Sequence, residues 1–307
     1  MCWLNRRTLW RAARCCWART SYDTLGGVNF GSKVSEYYQQ NIELPFFNYF
    51  LKDKGENKLP EAYVFETGTN QWRQYEQWPP KNAQPASLYL QADGKLSFTA
   101  PTSNDAVDEY VSDPKHPVPY RPRPIQATYH PSGSDWYTWL VQDQRFVHNR
   151  PDVLSWESDV LTEDLTISGQ ILVKLFASTS GSDSDWVVKL IDVYPDGRAY
   201  NLDETIQRMR YRNGYDKPLA WMEAGKVYKV TLQPMVTSNF FEAGHRIRIE
   251  VSSSNFPRFD RNLNTGGKNY DETKGVIAHN AVHHSRQYPS EVKLTVVKKA
   301  VVGANGR

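Results

Sequence analysis

Hydrophobic and polar residues alternate strictly in the stretch 246–251, toward the C-terminal end of the chain. The two alternating sets are Ile247, Ile249 and Val251 on one face, and Arg246, Arg248 and Glu250 on the other. A period of two is typical of a half-buried strand in an antiparallel sheet. The pattern therefore predicts a strand here whose charged face is open to solvent.

Further segments of the same kind run along most of the chain. Residues 171–177 alternate, and residues 186–194 are almost continuously apolar, which predicts a strand covered on both faces. An Asp-Gly pair at 93–94 predicts a hairpin between residues 88–90 and 95–98. The remaining predicted strands are 62–66, 227–232 and 292–297. This organisation predicts a mainly β fold, a jelly-roll β-sandwich of galactose-binding-like type.

A helical pattern precedes the strands. Val34, Tyr37, Tyr38 and Ile42 recur at steps of three and four, which predicts a helix within residues 33–53. Pro45 is expected to break or restart it. The apolar residues that follow are Phe46, Phe47, Phe50 and Leu51. The charged stretch 52–58 suits a linker, and the proline-rich stretch 113–125 predicts an extended loop.

Composition and charge restrict the class of protein. The 307 residues are 39% hydrophobic and 23% charged, which is typical of a globular chain. A net charge of +3 argues against nucleic acid as the main partner, because a phosphate-binding surface needs a concentrated basic patch. No run of about 18 apolar residues occurs, so no transmembrane helix and no membrane partner are predicted.

The first twenty residues differ from the rest. They carry five arginines and no acid, and they contain all three cysteines of the chain, Cys2, Cys15 and Cys16. Such a start suits a transit peptide, or a non-native start joined to a truncated gene, which is the favoured interpretation. The body needs no disulfide, and the sequence leaves the compartment undetermined.

Several motifs occur in a fixed order along the chain. They are L-P-F-F-N-Y-F-L at 44–51, E-T-G-T-N-Q-W at 66–72, W-P-P-K at 78–81, S-T-S-G-S-D-S-D-W at 178–186, V-K-L-I-D-V-Y-P at 188–195, and the stretch 244–262 around the alternating strand. Together they resemble the C-terminal part of the X-Pro dipeptidyl-peptidase and CocE/NonD-type acyl esterase family, which includes cocaine esterase and the α-amino acid ester hydrolases. The resemblance covers residues 17–297.

This resemblance implies a serine hydrolase whose catalytic α/β-hydrolase domain lies upstream of the β-domain. The family's catalytic histidine would fall at Arg14, and arginine stays protonated and cannot act as a general base. The nucleophile-elbow motif G-x-S-x-G does not occur in the sequence. The chain is therefore predicted to be the non-catalytic β-domain, inactive alone, with no catalytic or cofactor-binding residue and the catalytic domain as its partner.

Three groups of side chains are candidates for a metal or catalytic site. Asp183 and Asp185 flank Ser184 in a polar turn, but two acids supply too few oxygens for calcium, which favours turn capping. His279, His283 and His284 lack a further zinc ligand, and Asn280 and Ser285 beside them suit a loop. His245 is interpreted as a structural histidine. No metal site is predicted.

The sequence divides into an atypical start at 1–20, the terminal helix of an α/β-hydrolase domain at 21–58, and a jelly-roll domain at 59–307. The helix face formed by Phe46, Phe47, Phe50 and Leu51 is expected to be exposed and to favour self-association. The 10 Trp and 18 Tyr leave an alternative function, a carbohydrate- or ligand-binding jelly-roll module. The favoured interpretation places these rings in the core and at the interface with the catalytic domain.

Overall fold

The computed structural model describes residues 3–5, 23–127, 130–132 and 136–298. Apart from residues 3–5, the predicted Arg-rich start, including Arg14 and the cysteines, lies outside the described residues. The strands are β1 (Trp3–Asn5), β2 (Thr24–Leu25), β3 (Val28–Asn29), β4 (Ala62–Glu66), β5 (Gln71–Tyr75), β6 (Ala83–Leu90), β7 (Leu96–Ser97), β8 (Val107–Ser112), β9 (Leu154–Glu157), β10 (Leu165–Thr179), β11 (Asp185–Val193), β12 (Ala199–Arg208), β13 (Tyr228–Thr231), β14 (Met235–Phe241), β15 (Arg246–Ser252), β16 (Ala278–His283) and β17 (Glu291–Val297).

The helices are few and short. They are α1 (Val34–Tyr38), a π-helix (Gln39–Glu43), α2 (Leu44–Lys52), α3 (Arg145–His148) and the 3₁₀ helices Ala92–Gly94, Trp136–Val141 and Met209–Tyr211. Within the described part of the chain, no helix is both long enough and apolar enough to cross a membrane.

Two antiparallel sheets form the body of the molecule. The larger has the order β7-β6-β17-β10-β16-β8, and β13 and β14 also pair with β10; the smaller has the order β12-β11-β15-β9. The fifteen-residue strand β10 pairs with β14 and then β13 along one edge, and with β17 and then β16 along the other. It is therefore the central strand of the larger sheet.

The two sheets share one apolar core. Ile171, Val173 and Leu175 of β10 belong to the same buried cluster as Leu190 of β11 and Ile249 of β15. This face-to-face packing is that of a sandwich. The predicted mainly β sandwich is therefore confirmed, while the jelly-roll topology stays a prediction. Large aromatic rings also enter the core, including the fully buried Trp156 and Trp186.

The outer face of the smaller sheet is also buried, although it is charged. In the strand register Lys189 of β11 lies between Glu204 of β12 and Glu250 of β15. All three side chains are closed to solvent, as is Arg248. The prediction of an exposed polar face for β15 is wrong, because a further layer covers it. We call these residues and Arg258 the buried charged layer.

Loops and short helices from two regions complete this layer. Gln144, just before α3, accepts a hydrogen bond from Lys189 Nζ at 2.8 Å. Asn255 donates to Glu204 at 2.7 Å, and Arg258 pairs with the same carboxylate. The guanidinium of Arg258 also lies over the ring of Trp139, 3.4 Å from its centroid. Lys189, Glu204 and Arg258 therefore each have a partner inside the layer, which offsets part of the cost of their desolvation.

Most local predictions in the first half agree with the structure. β6 and β7 pair across a turn in which Asp93 and Gly94 have φ of 59° and 65°, the left-handed values that an Asp-Gly hairpin turn requires. β4 forms at the predicted strand 62–66 and pairs with β5 in a second hairpin. Within residues 113–125 the backbone forms no strand or helix, as the prolines predicted, but it does form an isolated bridge between Pro119 and Phe256.

The predicted helix at 33–53 forms, but with a widened π-helical turn at its centre. Pro45 follows that turn at the start of α2. Proline lacks the N–H that would continue the α-helical ladder, so the chain widens before it instead of breaking. Asp53 ends the helix in a left-handed conformation with φ of 48°.

Candidate functional site

The helical segment packs against the hairpin β4–β5 at one end of the sandwich. Tyr38 and Ile42 are buried against Tyr63 of β4. The hydroxyl groups of Tyr37 and Tyr63 are hydrogen-bonded at 2.5 Å, and this bond raises the pKa of Tyr37 to about 12. The ring of Tyr37 stacks on Trp72 of β5 with centroids 5.1 Å apart. These contacts fix the position of α1 and the π-helix.

The following helix, α2, is only partly covered. Phe46 packs on the cluster below it, and no residue of α2 is fully buried. Four large apolar side chains remain exposed, with 55%, 37%, 46% and 72% of their surface open at Leu44, Tyr49, Phe50 and Leu51 respectively. We call these four residues the apolar surface of α2. The predicted exposure is thus found at Phe50 and Leu51, whereas Phe46 and Phe47 are half-buried.

A cavity lies next to this segment, under the small hairpin β2–β3. Its volume is about 140 Å³. The hairpin is anchored by a hydrogen bond of 3.2 Å from the Tyr200 hydroxyl to the carbonyl oxygen of Gly27. A Cβ on Gly27 would lie 2.7 Å from that hydroxyl, so a larger residue would have to displace the Tyr200 side chain. The walls combine apolar and polar side chains from separate elements: Leu25, Val28, Phe30, Phe65, Leu140, Val141, Leu202, Thr237 and Asn239.

Asp192 forms the acidic part of the cavity wall. It accepts hydrogen bonds from Asn239 Nδ2 at 3.2 Å and, at its other oxygen, from His245 Nδ1 at 2.8 Å. The bond to Asp192 raises the pKa of His245. Burial, with the Asp192 charge nearby, raises the pKa of Tyr194 to about 12. His245 thus has a buried carboxylate partner, and its lack of a catalytic role stays a prediction.

Asp183 and Asp185 do not cap an exposed turn. Both carboxylates are fully buried. Asp183 binds Arg210 Nε at 2.6 Å, and Asp185 binds Arg208 through two hydrogen bonds of 2.8 Å. Asn262 donates to both acids at 2.8 Å. The turn-capping interpretation is wrong, because Arg208 and Arg210 on the neighbouring segment neutralise the acids. The sequence alone does not indicate that these arginines are the partners.

The three histidines at the end of the chain do not converge. Residues 278–283 form strand β16 and not the predicted loop, and Asn280 on that strand is fully buried. His279 is exposed, His283 lies 3.0 Å from Ser178 Oγ, and His284 Nε2 lies 2.9 Å from Asp108. The described residues contain no group of three or more His, Cys, Asp or Glu side chains able to hold a metal ion.

The fold and this surface define a β-sandwich domain with a helical segment that carries an uncovered apolar surface. The chain belongs to the family described as the X-Pro dipeptidyl-peptidase C-terminal non-catalytic domain, whose model matches residues 54–293. The family predicted from the motifs is therefore confirmed, and the chain corresponds to the C-terminal part of the serine esterases in that family.

Relatives and solved structures agree with this assignment. The chain is 36% identical over 251 residues to cocaine esterase of Rhodococcus sp. (strain MB1 Bresler), an alignment that covers 78% of the chain and 42% of the esterase. An aminopeptidase from a marine sediment Thaumarchaeota archaeon superposes with a TM-score of 0.86 at 37% identity, over 94% of this chain and 48% of that one. An α-amino acid ester hydrolase superposes with a TM-score of 0.82 at 37% sequence identity, over 94% of this chain and 49% of that one. The chain spans less than half the length of these relatives.

Proposed function

We propose that this chain is the β-domain of an enzyme that cleaves ester or amide bonds, and that it packs against an α/β-hydrolase catalytic domain. That domain would supply the serine nucleophile, the histidine base and the aspartate, and the reaction would pass through an acyl-enzyme. The β-domain would form part of the wall of the substrate cleft and support the catalytic domain, and alone it would be inactive. The observation that carries the proposal is the apolar surface of α2.

The exposure of these side chains argues for a covering partner. Leu44 and Leu51 are seven residues apart, so they lie on the same side of α2 two turns from each other. Both are more than half exposed, although leucine is mostly buried in folded proteins. An exposed group of large apolar side chains marks an interaction surface. In relatives more than twice as long as the matched region, an additional domain is available to cover it.

The proposed division of the chain follows from this arrangement. Residues 59–307 form the β-domain, residues 21–58 form the last helix of the catalytic domain, and residues 1–20 form an atypical start. The contacts of Tyr37 with Tyr63 and Trp72 would hold that last helix on the hairpin β4–β5 of the β-domain. When the catalytic domain is lacking, the apolar surface of α2 is proposed to favour self-association.

The experiment is a binding assay between this chain and the separately produced catalytic domain of cocaine esterase. A double variant, Leu44→Glu with Leu51→Glu, places two charges on the proposed interface. We expect wild type to bind and the variant to bind at least tenfold more weakly, because the charges would have to be desolvated on docking. Size-exclusion chromatography with light scattering on wild type and variant alone reports self-association.

The matched control is Leu219→Glu with Ile277→Glu, which adds the same charge at two exposed apolar residues in loops outside the helical segment. It should bind like wild type. Equal binding by all three proteins would contradict the role of α2, and no binding by wild type would contradict the proposed partner. Hydrolysis of an aryl ester by the purified chain alone would overturn its proposed inactivity.

A further inference from the structure

The outer face of the larger sheet carries lysines that share one carboxylate. Lys174 of β10 lies between the core residues Val173 and Leu175, so its side chain projects from the face opposite the core. In the strand register it lies opposite Glu291 of β17, and Lys293, two residues further along β17, projects from the same face. Glu291 Oε1 lies 3.6 Å from Lys174 Nζ and 3.5 Å from Lys293 Nζ. One carboxylate oxygen thus serves two ammonium groups.

The charges around Lys174 do not balance. A third lysine, Lys229 of the neighbouring strand β13, projects from the same face, while the residue opposite Glu291 on β6 is the phenol Tyr89. Lys293 and Lys229 both disfavour a proton on Lys174, and Glu291 favours one. The neighbouring Lys293, together with partial burial, therefore lowers the pKa of Lys174.

A lysine beside another cation is a better nucleophile near neutral pH, because attack requires the unprotonated amine and the neighbouring charge increases its fraction. Exposure alone would select a different lysine. The Lys226 side chain is 53% exposed, but it pairs with Glu223 at 2.6 Å, and this bond raises the pKa of Lys226. The Lys174 side chain is 21% exposed. Exposure therefore predicts that Lys226 reacts faster, whereas the local charge predicts Lys174.

We propose that Lys174 is an acylation site, at which Nζ attacks the carbonyl carbon of an activated acyl donor such as an acyl phosphate or an active ester. The new C–N bond forms, the bond between the carbonyl carbon and the leaving group breaks, and the proton released by the nitrogen passes to solvent. The product is a neutral amide. Acylation leaves the carboxylate of Glu291 to Lys293, so it relieves part of the charge imbalance on this face.

The test labels the full chain with a substoichiometric amount of sulfosuccinimidyl acetate and measures the acetylation rate of each lysine by peptide mass spectrometry. At pH 7.5 we expect Lys174 to react at least about fivefold faster than Lys226, because a difference of one pKa unit changes the unprotonated fraction about tenfold. When labelling is repeated between pH 7 and 10, the rate of Lys174 should rise at a lower pH, which a difference in exposure would not cause. A rate for Lys174 no higher than that of Lys226 would overturn the proposal.

Three variants test the physical cause, with the rate of Lys226 in the same sample as the internal reference. Lys293→Met removes the neighbouring ammonium group and should slow acetylation of Lys174 at least about threefold, whereas Glu291→Gln removes the shared carboxylate and should speed it. The matched control is Lys268→Met, which removes an 87% exposed ammonium group from the loop between β15 and β16 and should leave the rate unchanged. Equal rates in wild type and Lys293→Met would contradict the proposed origin of the reactivity.

Discussion

The inner and outer faces of the four-stranded sheet are both closed to solvent, but different forces hold them. The inner face presents Trp186 and Leu190 to the apolar core of the sandwich. The outer face presents Lys189, Glu204 and Glu250 to the segment that contains α3 and to the loop after β15. Apolar packing depends mainly on volume, whereas a buried ion requires a particular partner at a particular distance.

Burial alone therefore does not describe the role of a strand. Strand β11 is buried along all nine residues, yet only alternate residues contribute to the hydrophobic core. We interpret the buried charged layer as a device that fixes how α3 and the loop around Arg258 cover the sheet. Two substitutions and one change of pH distinguish the two faces, and their expected effects on the free energy of unfolding decrease in that order.

The largest effect is expected at the inner face, for Trp186→Ala. The side chain is fully buried, and its ring packs edge-on against Tyr110 with centroids 6.2 Å apart. Loss of a buried tryptophan costs about 3–5 kcal/mol of the free energy of unfolding, because a cavity remains. Urea unfolding monitored by circular dichroism measures the change. A loss below about 1 kcal/mol would contradict the core position.

The substitution Glu204→Gln tests the outer face, because it keeps the shape of the side chain and removes its charge. Arg258 and Lys189 then lose a carboxylate partner inside the layer, for an expected loss of about 3 kcal/mol. The matched control is Glu56→Gln, since Glu56 forms an ion pair with Lys58 in which both side chains are about four-fifths exposed. That control should change the free energy of unfolding by less than about 0.5 kcal/mol. Equal effects at the two positions would show that the buried layer has no special role.

The smallest effect is a pH dependence that only the outer face should show. Burial lowers the pKa of Lys189 to about 8, below the roughly 10.4 expected in the unfolded chain. Between these values the unfolded chain holds a proton that the folded chain lacks, so the free energy of unfolding rises with pH, on the order of 1 kcal/mol per unit. Below pH 8 the contribution of Lys189 to the free energy of unfolding does not change with pH.

The measurement compares wild type with Lys189→Met by urea unfolding at pH 7.5, 8.5 and 9.5. The difference between the two proteins removes the titration of other groups. We expect wild type to gain stability relative to the variant as the pH rises. Parallel curves would show that Lys189 keeps an ordinary pKa in the folded chain.

Local patterns were enough to predict much of the sandwich. β11 was predicted to be covered on both faces because its apolar residues are nearly continuous, and the turn at Asp93 and Gly94 followed from the left-handed conformation those residues tolerate. The helix within residues 33–53 followed from its periodicity. In each case the signal lies within about twenty consecutive residues, so no knowledge of the tertiary structure was needed.

Features that depend on distant segments could not be predicted in this way. The burial of Arg248 and Glu250 depends on a covering layer from residues 136–148 and 255–258, and their alternation indicates an exposed face until that layer is known. Asp183 and Asp185 meet Arg210 and Arg208 only through the pairing of β11 with β12. The cavity residues Asn201 and Asn239 lie on β12 and β14, and Tyr194 follows β11. No motif in the sequence marks them as a group.

The central strand β10 has a consequence for the order in which the protein can fold. Its partners β13 and β14 begin about fifty to seventy residues later, but β16 and β17 follow only after about a hundred or more. On the ribosome one edge of β10 must therefore wait, with its backbone hydrogen-bonding groups unpaired, until almost the whole domain has been synthesised. Long-range pairing of this kind slows folding, and an unpaired strand edge is where aggregation begins. The domain should therefore depend on chaperones during synthesis more than a helical protein of equal length.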